Sequence, residues 1–322
     1  LSTVQYRLLG NSGIQVSAVS LGCWPIAGMT SPGVNDEDSL ATIRACLNLG
    51  VNHLDTAYCY GREGQGERLI ARALGSRRRE VVLATKAGQH WDDQGQLRHD
   101  ASPATLRRQC EESLRRLAAD HVELLYLHAP DEKVPIAESA GALRRLLDEG
   151  KTRAVGVSNV DPAELRAFAA ECPLAAYQPP YNMLQREIES AALPWCREHG
   201  VAVLVYWPLM KGLLAGKLAR DQVFGDKDNR RKYAAFQGRQ YQRNLDLVDG
   251  LRRIAAESGR AVAELVIAWT IHQPGITSAL CGAKRPEQIR ENAAAADREF
   301  TSDQLARVDR LLAEFGLPSD FD

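Results

Sequence analysis

AGALRRLLDEG (140–150) runs, after one intervening residue, into TRAVGVSN (152–159). The first stretch reads as an amphipathic helix closed by Gly150. Glycine at that position takes the left-handed backbone that other residues resist. The second is a short β-branched run. The same cadence recurs on either side: ATIRACLNLG (41–50) precedes VNHLD, and PWCREHG (194–200) precedes VAVLVYW. VVLAT (81–85), VELLYLH (122–128) and VAVLVY (201–206) are apolar throughout rather than alternating. Strands covered on both faces of a parallel sheet read this way.

Eight strand candidates emerge, near 18–23, 51–55, 81–86, 122–128, 153–158, 175–178, 201–206 and 277–281, each followed by a helical pattern. In SPATLRRQCEESLRRL (102–117), Leu106, Cys110, Ser113, Leu114 and Leu117 form one stripe, with Ser102 as N-cap and Pro103 at the first helical position. Asp161–Glu164 and Thr301–Gln304 carry further helix-start signals. Eight such units in 322 residues predict an α/β fold, a (β/α)8 TIM barrel. A doubly wound open sheet has the same alternation, but no strand here is followed by a dinucleotide fingerprint. The chain reads as one domain, 1–322. Three segments lie outside the cadence: an N-terminal β-hairpin (4–19) with Asn11-Ser12-Gly13 at its turn, a long loop (208–244), and an extra C-terminal helix (300–315). The hairpin is placed to plug the barrel floor.

Lys plus Arg number 40 and Asp plus Glu 41, for a net charge of −1. That balance predicts neither a nucleic-acid nor an acidic-membrane partner. The seven cysteines are scattered and never in C-x-x-C spacing, which points away from a disulfide framework or zinc site and toward a reducing compartment. With no signal pattern and no membrane-length apolar run, the protein is expected to be cytoplasmic.

Barrel enzymes take their active residues from the carboxyl ends of the strands. Here those ends carry Asp55, Lys86, His128, Ser158, Asn159, Gln178 and Tyr206. Each has a bland reading alone: a cap, a snorkelling lysine, a bonded core histidine. Together they should meet at one mouth. A tyrosine, with pKa about 10, is a poor proton donor at neutral pH. A nearby ammonium lowers that value, a carboxylate holds the ammonium, and a histidine polarises a carbonyl. Such a set gives a proton to an alkoxide as hydride reaches a carbonyl carbon.

Asp55 and Tyr60 in DTAYCYG, Lys86 in LATKAG and His128 in LYLHAP resemble, in identity and order, the catalytic tetrad of the aldo-keto reductases. GCWPIAG (22–28), GVSN (156–159), YQPPYN (177–182), YWPLMKGLLAGK (206–217) and CGAKRPEQIREN (281–292) resemble further stretches of that family, in order. The resemblance implies NADPH-dependent reduction of an aldehyde or ketone on a (β/α)8 barrel without a metal. It makes Tyr60 the general acid, Lys86 and Asp55 its tuning pair, and His128 the carbonyl-orienting group. It gives the nicotinamide carboxamide to Ser158, Asn159 and Gln178, and the nicotinamide ring to Tyr206. Leu209, Gly212 and Leu213 would meet the pyrophosphate; Gly282, Lys284, Arg285, Gln288 and Asn292 the adenosine end and its 2′-phosphate. Two departures stand out: Trp207, in the cofactor-binding stretch, replaces a common serine, and Gln288 a common arginine. Lys284 and Arg285 still offer two charges, so NADPH is expected over NADH. The same resemblance admits an NADP-dependent sugar or polyol dehydrogenase, and a cofactor-sensing regulatory subunit with little turnover.

Trp24 and Trp91 follow strands one and three and are expected to wall the substrate pocket. GREGQGE (61–67) is glycine-rich but acidic, and reads as a turn and helix start rather than a phosphate cradle. His53-x-Asp55 has no second cluster to make a metal site. The basic stretch 211–244, with nine Lys or Arg against three acids, is a solvated loop, a flap over the anionic cofactor or one favouring a charged substrate.

Overall fold

A computed structural model describes residues 4–28, 33–226, 228–297 and 300–316. Eight parallel strands close a barrel in sequence order: β1 (Val19–Gly22), β2 (His53–Asp55), β3 (Val82–Ala87), β4 (Leu124–Leu127), β5 (Val155–Ser158), β6 (Ala176–Gln178), β7 (Ala202–Tyr206) and β8 (Ile276–Gly282). Every one lies on or within a residue or two of an expected strand. Helices α1 (Asp36–Asn48), α2 (Gln65–Leu74), α3 (Pro103–Leu117), α4 (Ile136–Asp148), α5 (Pro162–Glu171) and α6 (Ala192–Glu198) connect the first seven strands. Ser102 caps α3, and Asp161 with Glu164 forms a capping box at α5.

The connection from β7 to β8 departs from the expected pattern. It holds two helices, α7 (Gly238–Glu257) and α8 (Val262–His272), behind short 3-10 turns at Met210–Ala215, Asn229–Lys232 and Ala234–Phe236. The loop expected to end at 244 therefore ends at 237. Polar side chains misread the start of α7, whose inward face is carried by Tyr241, Asn244 and Leu245. Helix α9 (Pro286–Asp297) follows β8, and α10 (Ser302–Phe315), capped by Thr301 and Gln304, is the extra terminal helix.

Side chains on a strand alternate in direction, and here the alternation separates two cores. Leu83, Leu125, Leu127, Val155, Val157, Val203 and Val205 face outward under the helices. Val82, Ala84, Leu124, Tyr126, Ala176, Ala202, Leu204 and Leu280 fill the barrel, together with Leu9 and Val16 of the hairpin. Burying one such Val or Leu fully contributes about 1.5–3 kcal/mol. The hairpin, Tyr6–Leu8 paired antiparallel with Gln15–Ser17, thus closes the floor as expected. Gly156 is required in the barrel: a Cβ there would stand 2.4 Å from the Tyr126 ring.

All seven cysteines are buried and free. Burial pushes the thiols of Cys46, Cys59, Cys110, Cys172 and Cys196 up to about 12. Among the described residues, no helix is long and apolar enough to cross a membrane.

Candidate active site

The parity that fills the barrel also delivers the polar residues. Lys86 continues the inward row of Val82 and Ala84; His128 continues that of Leu124 and Tyr126. Asp55 shares the parity of His53 on β2. Ser158, Gln178 and Tyr206 end the inward rows of β5, β6 and β7. They meet at the carboxyl mouth.

Lys86 is the junction. Its Nζ donates to Asp55 Oδ1 at 2.5 Å, to the Thr56 carbonyl at 2.9 Å and to the Tyr60 hydroxyl at 3.3 Å. Lys86 and Asp55 are each about 98% buried or more. Gly61 lets the chain turn at φ +88° directly behind Tyr60, and a Cβ there would strike Gln65. Trp24 meets Tyr60 edge-on at 5.0 Å between ring centroids, and His128 does so at 6.0 Å. Trp91 donates its indole N–H to the Cys59 carbonyl at 2.7 Å, so both tryptophans stand beside Tyr60.

One electrostatic expectation is reversed. Lys86 was expected to lower the pKa of Tyr60, yet burial, reinforced by Asp55, pushes that phenol well above its ordinary value. Desolvation of a phenolate outweighs the nearby ammonium, whose charge Asp55 already balances. The resting group is a protonated phenol. Burial, then Lys86 and His99, hold the His128 imidazole well below its ordinary value, so the ring is neutral. Its Nδ1 lies 3.6 Å from the Cys59 sulfur.

The residues expected at the cofactor are already linked to one another. Tyr206 donates to Asn159 Oδ1 at 2.7 Å. Asn159 Nδ2 donates to the His128 carbonyl at 2.9 Å and to Ser158 Oγ at 3.2 Å. Ser158 donates to the Gln178 carbonyl at 2.7 Å. Gln178, also expected at the cofactor, donates its Nε2 to Asp55 Oδ2 at 2.8 Å, next to the Lys86–Tyr60 pair. Asn159 holds a left-handed φ of 57°, a strain that surrounding structure sustains at functional sites.

Trp207, Met210, Lys211 and Gly212 also have positive φ, in the turn that carries Leu209 and Leu213. The Lys211 ammonium lies 3.5 Å above the Trp207 ring and 4.4 Å from that of Tyr233, which belongs to the basic stretch. That stretch is partly self-neutralised, Arg230 pairing with Asp228 and Arg231 with Asp226, while Arg220 pairs with Asp246 and Asp249 farther along α7. Arg230, with a smaller effect from Lys284, holds Asp228 below its usual range, so the stretch reaches toward the β8–α9 turn. Lys227 lies outside the described residues. At that turn Arg285 is exposed, 3.8 Å from Asp38. Gln288 and Asn292 instead brace it: Gln288 Oε1 accepts from the Lys284 amide at 2.9 Å, and Asn292 donates to the Gly282 carbonyl at 3.5 Å.

Two groups escaped the sequence reading. Glu67, in the glycine-rich stretch, is wholly buried, accepting from Thr85 at 2.8 Å and from Arg116 at 3.3 Å. Arg116 also donates to the Tyr58 carbonyl at 3.2 Å and covers the Tyr58 ring at 4.2 Å, bracing the segment before Tyr60. The available signal was an acid on an apolar stripe, since Glu67 stands with Ile70 and Leu74 on α2. His53, by contrast, lies below the mouth, its Nδ1 2.9 Å from Ser20 Oγ.

A parallel barrel whose mouth joins a lysine, a carboxylate and a phenol beside a neutral histidine is that of an oxidoreductase acting on carbonyl groups. The chain belongs to the aldo/keto reductase family, whose model matches residues 18–313. It is 37% identical over 289 residues to the aldo-keto reductase YhdN of Bacillus subtilis (strain 168), covering 89% of this chain and 87% of that one. It is 34% identical over 321 residues to the NADH-specific methylglyoxal reductase of Escherichia coli (strain K12), covering 95% and 97%. The solved glycerol dehydrogenase of Gluconobacter oxydans superposes with a TM-score of 0.89 at 35% identity, covering 98% of each chain.

Proposed function

We propose that this protein reduces a small aldehyde or ketone with NADPH, with Tyr60 as proton donor. The observation that carries the reading is Lys86, buried and bonded at once to Asp55 and Tyr60. A reduced nicotinamide bound beside this mouth supplies hydride to the carbonyl carbon. Tyr60 gives its hydroxyl proton to the carbonyl oxygen. Lys86 stabilises the phenolate left behind, and Asp55 keeps Lys86 charged and in place. His128, neutral, donates a hydrogen bond that aligns the oxygen. Trp24 and Trp91 bound the pocket.

The donor set suits a nicotinamide. Ser158, Asn159 and Gln178 offer both donors and acceptors on adjoining strands, as a carboxamide requires. Tyr206 offers a ring face, and the strained turn at Leu209–Leu213 offers backbone amides to phosphate. Lys284 and Arg285 favour the 2′-phosphate, the basis for preferring NADPH. The NADH-specific relative from Escherichia coli makes this the point most in need of test. The likeness to a glycerol dehydrogenase supports a second reading, in which the same residues run in reverse on a polyol. Burial of all seven free cysteines supports a reducing, cytoplasmic setting.

The test is a panel of aldehydes, ketones and sugar alcohols with NADPH, NADH and their oxidised forms, read by nicotinamide absorbance. Turnover of small carbonyls with NADPH at higher kcat/KM than NADH is expected. Binding of cofactor without turnover of any panel member would overturn the catalytic reading; equal kcat/KM with both cofactors would overturn the preference.

A further inference from the structure

We propose that Gln178 is a positioning residue that ties the cofactor-side row Tyr206–Asn159–Ser158 to the proton-donor row Asp55–Lys86–Tyr60. The inference rests on the reading of Tyr60 as the proton donor.

The two rows form one hydrogen-bonded path. Tyr206 donates to Asn159, Asn159 to Ser158, and Ser158 to the main-chain oxygen of Gln178. From Gln178 the path crosses the barrel: Nε2 donates to Asp55 Oδ2 at 2.8 Å, though the residues are 123 apart in sequence. Asp55 Oδ1 receives Lys86, and Lys86 reaches Tyr60. Gln178 is buried, so this bond is not exchanged for water at will.

The chemistry of the pair explains why the link matters. A carboxylate only accepts, and Asp55 has two oxygens to satisfy. With Gln178 on Oδ2, Lys86 is confined to Oδ1, the side from which it also reaches Tyr60. Without that donor, the buried Oδ2 is left to compete for the same ammonium, drawing it from the phenol. The carboxylate charge also becomes less screened where it opposes formation of a phenolate. Both effects weaken the proton donor. A ligand that recruits the Gln178 carboxamide therefore acts directly on the group that holds Lys86.

The experiment compares Gln178→Met and Gln178→Glu with the parent enzyme. It measures kcat against pH, cofactor Kd by fluorescence and thermal stability, with Tyr60→Phe as control. Gln178→Met should lower kcat at saturating cofactor about 10–100-fold, beyond any rise in cofactor Kd. Gln178→Glu, which sets a second carboxylate against Asp55, should lower it further. Combined with Asp55→Asn, Gln178→Met should cost much less than the product of the single effects. An unchanged kcat at saturating cofactor in both variants, with the loss confined to cofactor Kd, would make Gln178 a cofactor contact only and overturn the proposal. Additive losses with Asp55→Asn would also overturn it. An active Tyr60→Phe would instead bring down the underlying mechanism. A cooperative thermal transition near that of the parent marks the variants as folded; if Gln178→Met unfolds, Gln178→Glu carries the test.

Discussion

Arg116→Met should destabilise the protein by about 3–5 kcal/mol at pH 8, the cost typical of removing one partner from a buried ion pair. The structure argues for the full range. Glu67 has no exposed side-chain surface, and Arg116 is only 14% exposed. Thr85 remains to donate to Glu67, but a hydroxyl does not balance a charge. At about 2.1 cal/mol/K per residue, unfolding entropy for 322 residues is near 0.7 kcal/mol/K, so Tm should fall by about 4–7 °C. The effect has a pH signature. Burial already raises the Glu67 carboxyl above its ordinary value, against the pull of Arg116. Removing the arginine raises it further. The folded state then holds a proton that the unfolded state releases above about pH 4.3. Stability is therefore lost as pH rises, and the deficit should shrink by more than half at pH 5. Urea unfolding followed by circular dichroism at pH 5 and pH 8 measures this, with Arg116→Met/Glu67→Gln expected to recover at least half the loss. A single variant within about 1 kcal/mol of the parent at pH 8, or a pH-independent loss that Glu67→Gln does not relieve, would refute the reasoning.

Tyr60→Phe should lower kcat about 10²–10⁴-fold while leaving cofactor Kd within about twofold, by stopped-flow turnover and fluorescence titration; near-full turnover would remove the phenol from the mechanism. Lys284→Ala/Arg285→Ala should raise KM for NADPH about 10–100-fold and leave KM for NADH nearly unchanged, from the loss of charge-assisted bonds; parallel rises would count against a 2′-phosphate subsite. His53, lowered by burial to about 4, binds protons more readily unfolded than folded. The folded protein should therefore lose about 3 kcal/mol as pH falls from 6.5 toward 4, a loss that His53→Asn removes, measured by urea titration at both ends.

Much of this molecule can be read from its sequence because burial on both strand faces leaves a local mark. VVLAT and VELLYLH fix two strands, and parity places Lys86 on the side of Ala84 and His128 on the side of Tyr126; which side faces inward is set by closure of the barrel. Asp55, Lys86 and His128 were recognisable because each sits where a strand ends, and Tyr60, five residues past β2, through the resemblance carried by DTAYCYG. What could not be read depends on register between distant strands. That Gln178 turns its amide to Asp55 follows from how β6 faces β2 across the barrel, and nothing near residue 178 encodes it. The same holds for Glu67 and Arg116, whose partnership needs α2 and α3 side by side. Burial, too, is a tertiary property, so Tyr60 ends with a higher rather than a lower affinity for its proton. The start of α7 was lost because its polar surface resembles that of a loop.

The seven buried cysteines bear on the carbonyl chemistry proposed for this mouth. Aldehydes are attacked by thiolates, and a thiol held at about 12 is ionised in roughly one molecule in 10⁵ at neutral pH. Cys59 stands one residue from Tyr60, yet it is buried and holds its sulfur in the unreactive form. Dilute exposure to soft alkylating agents should therefore spare the native protein until it unfolds.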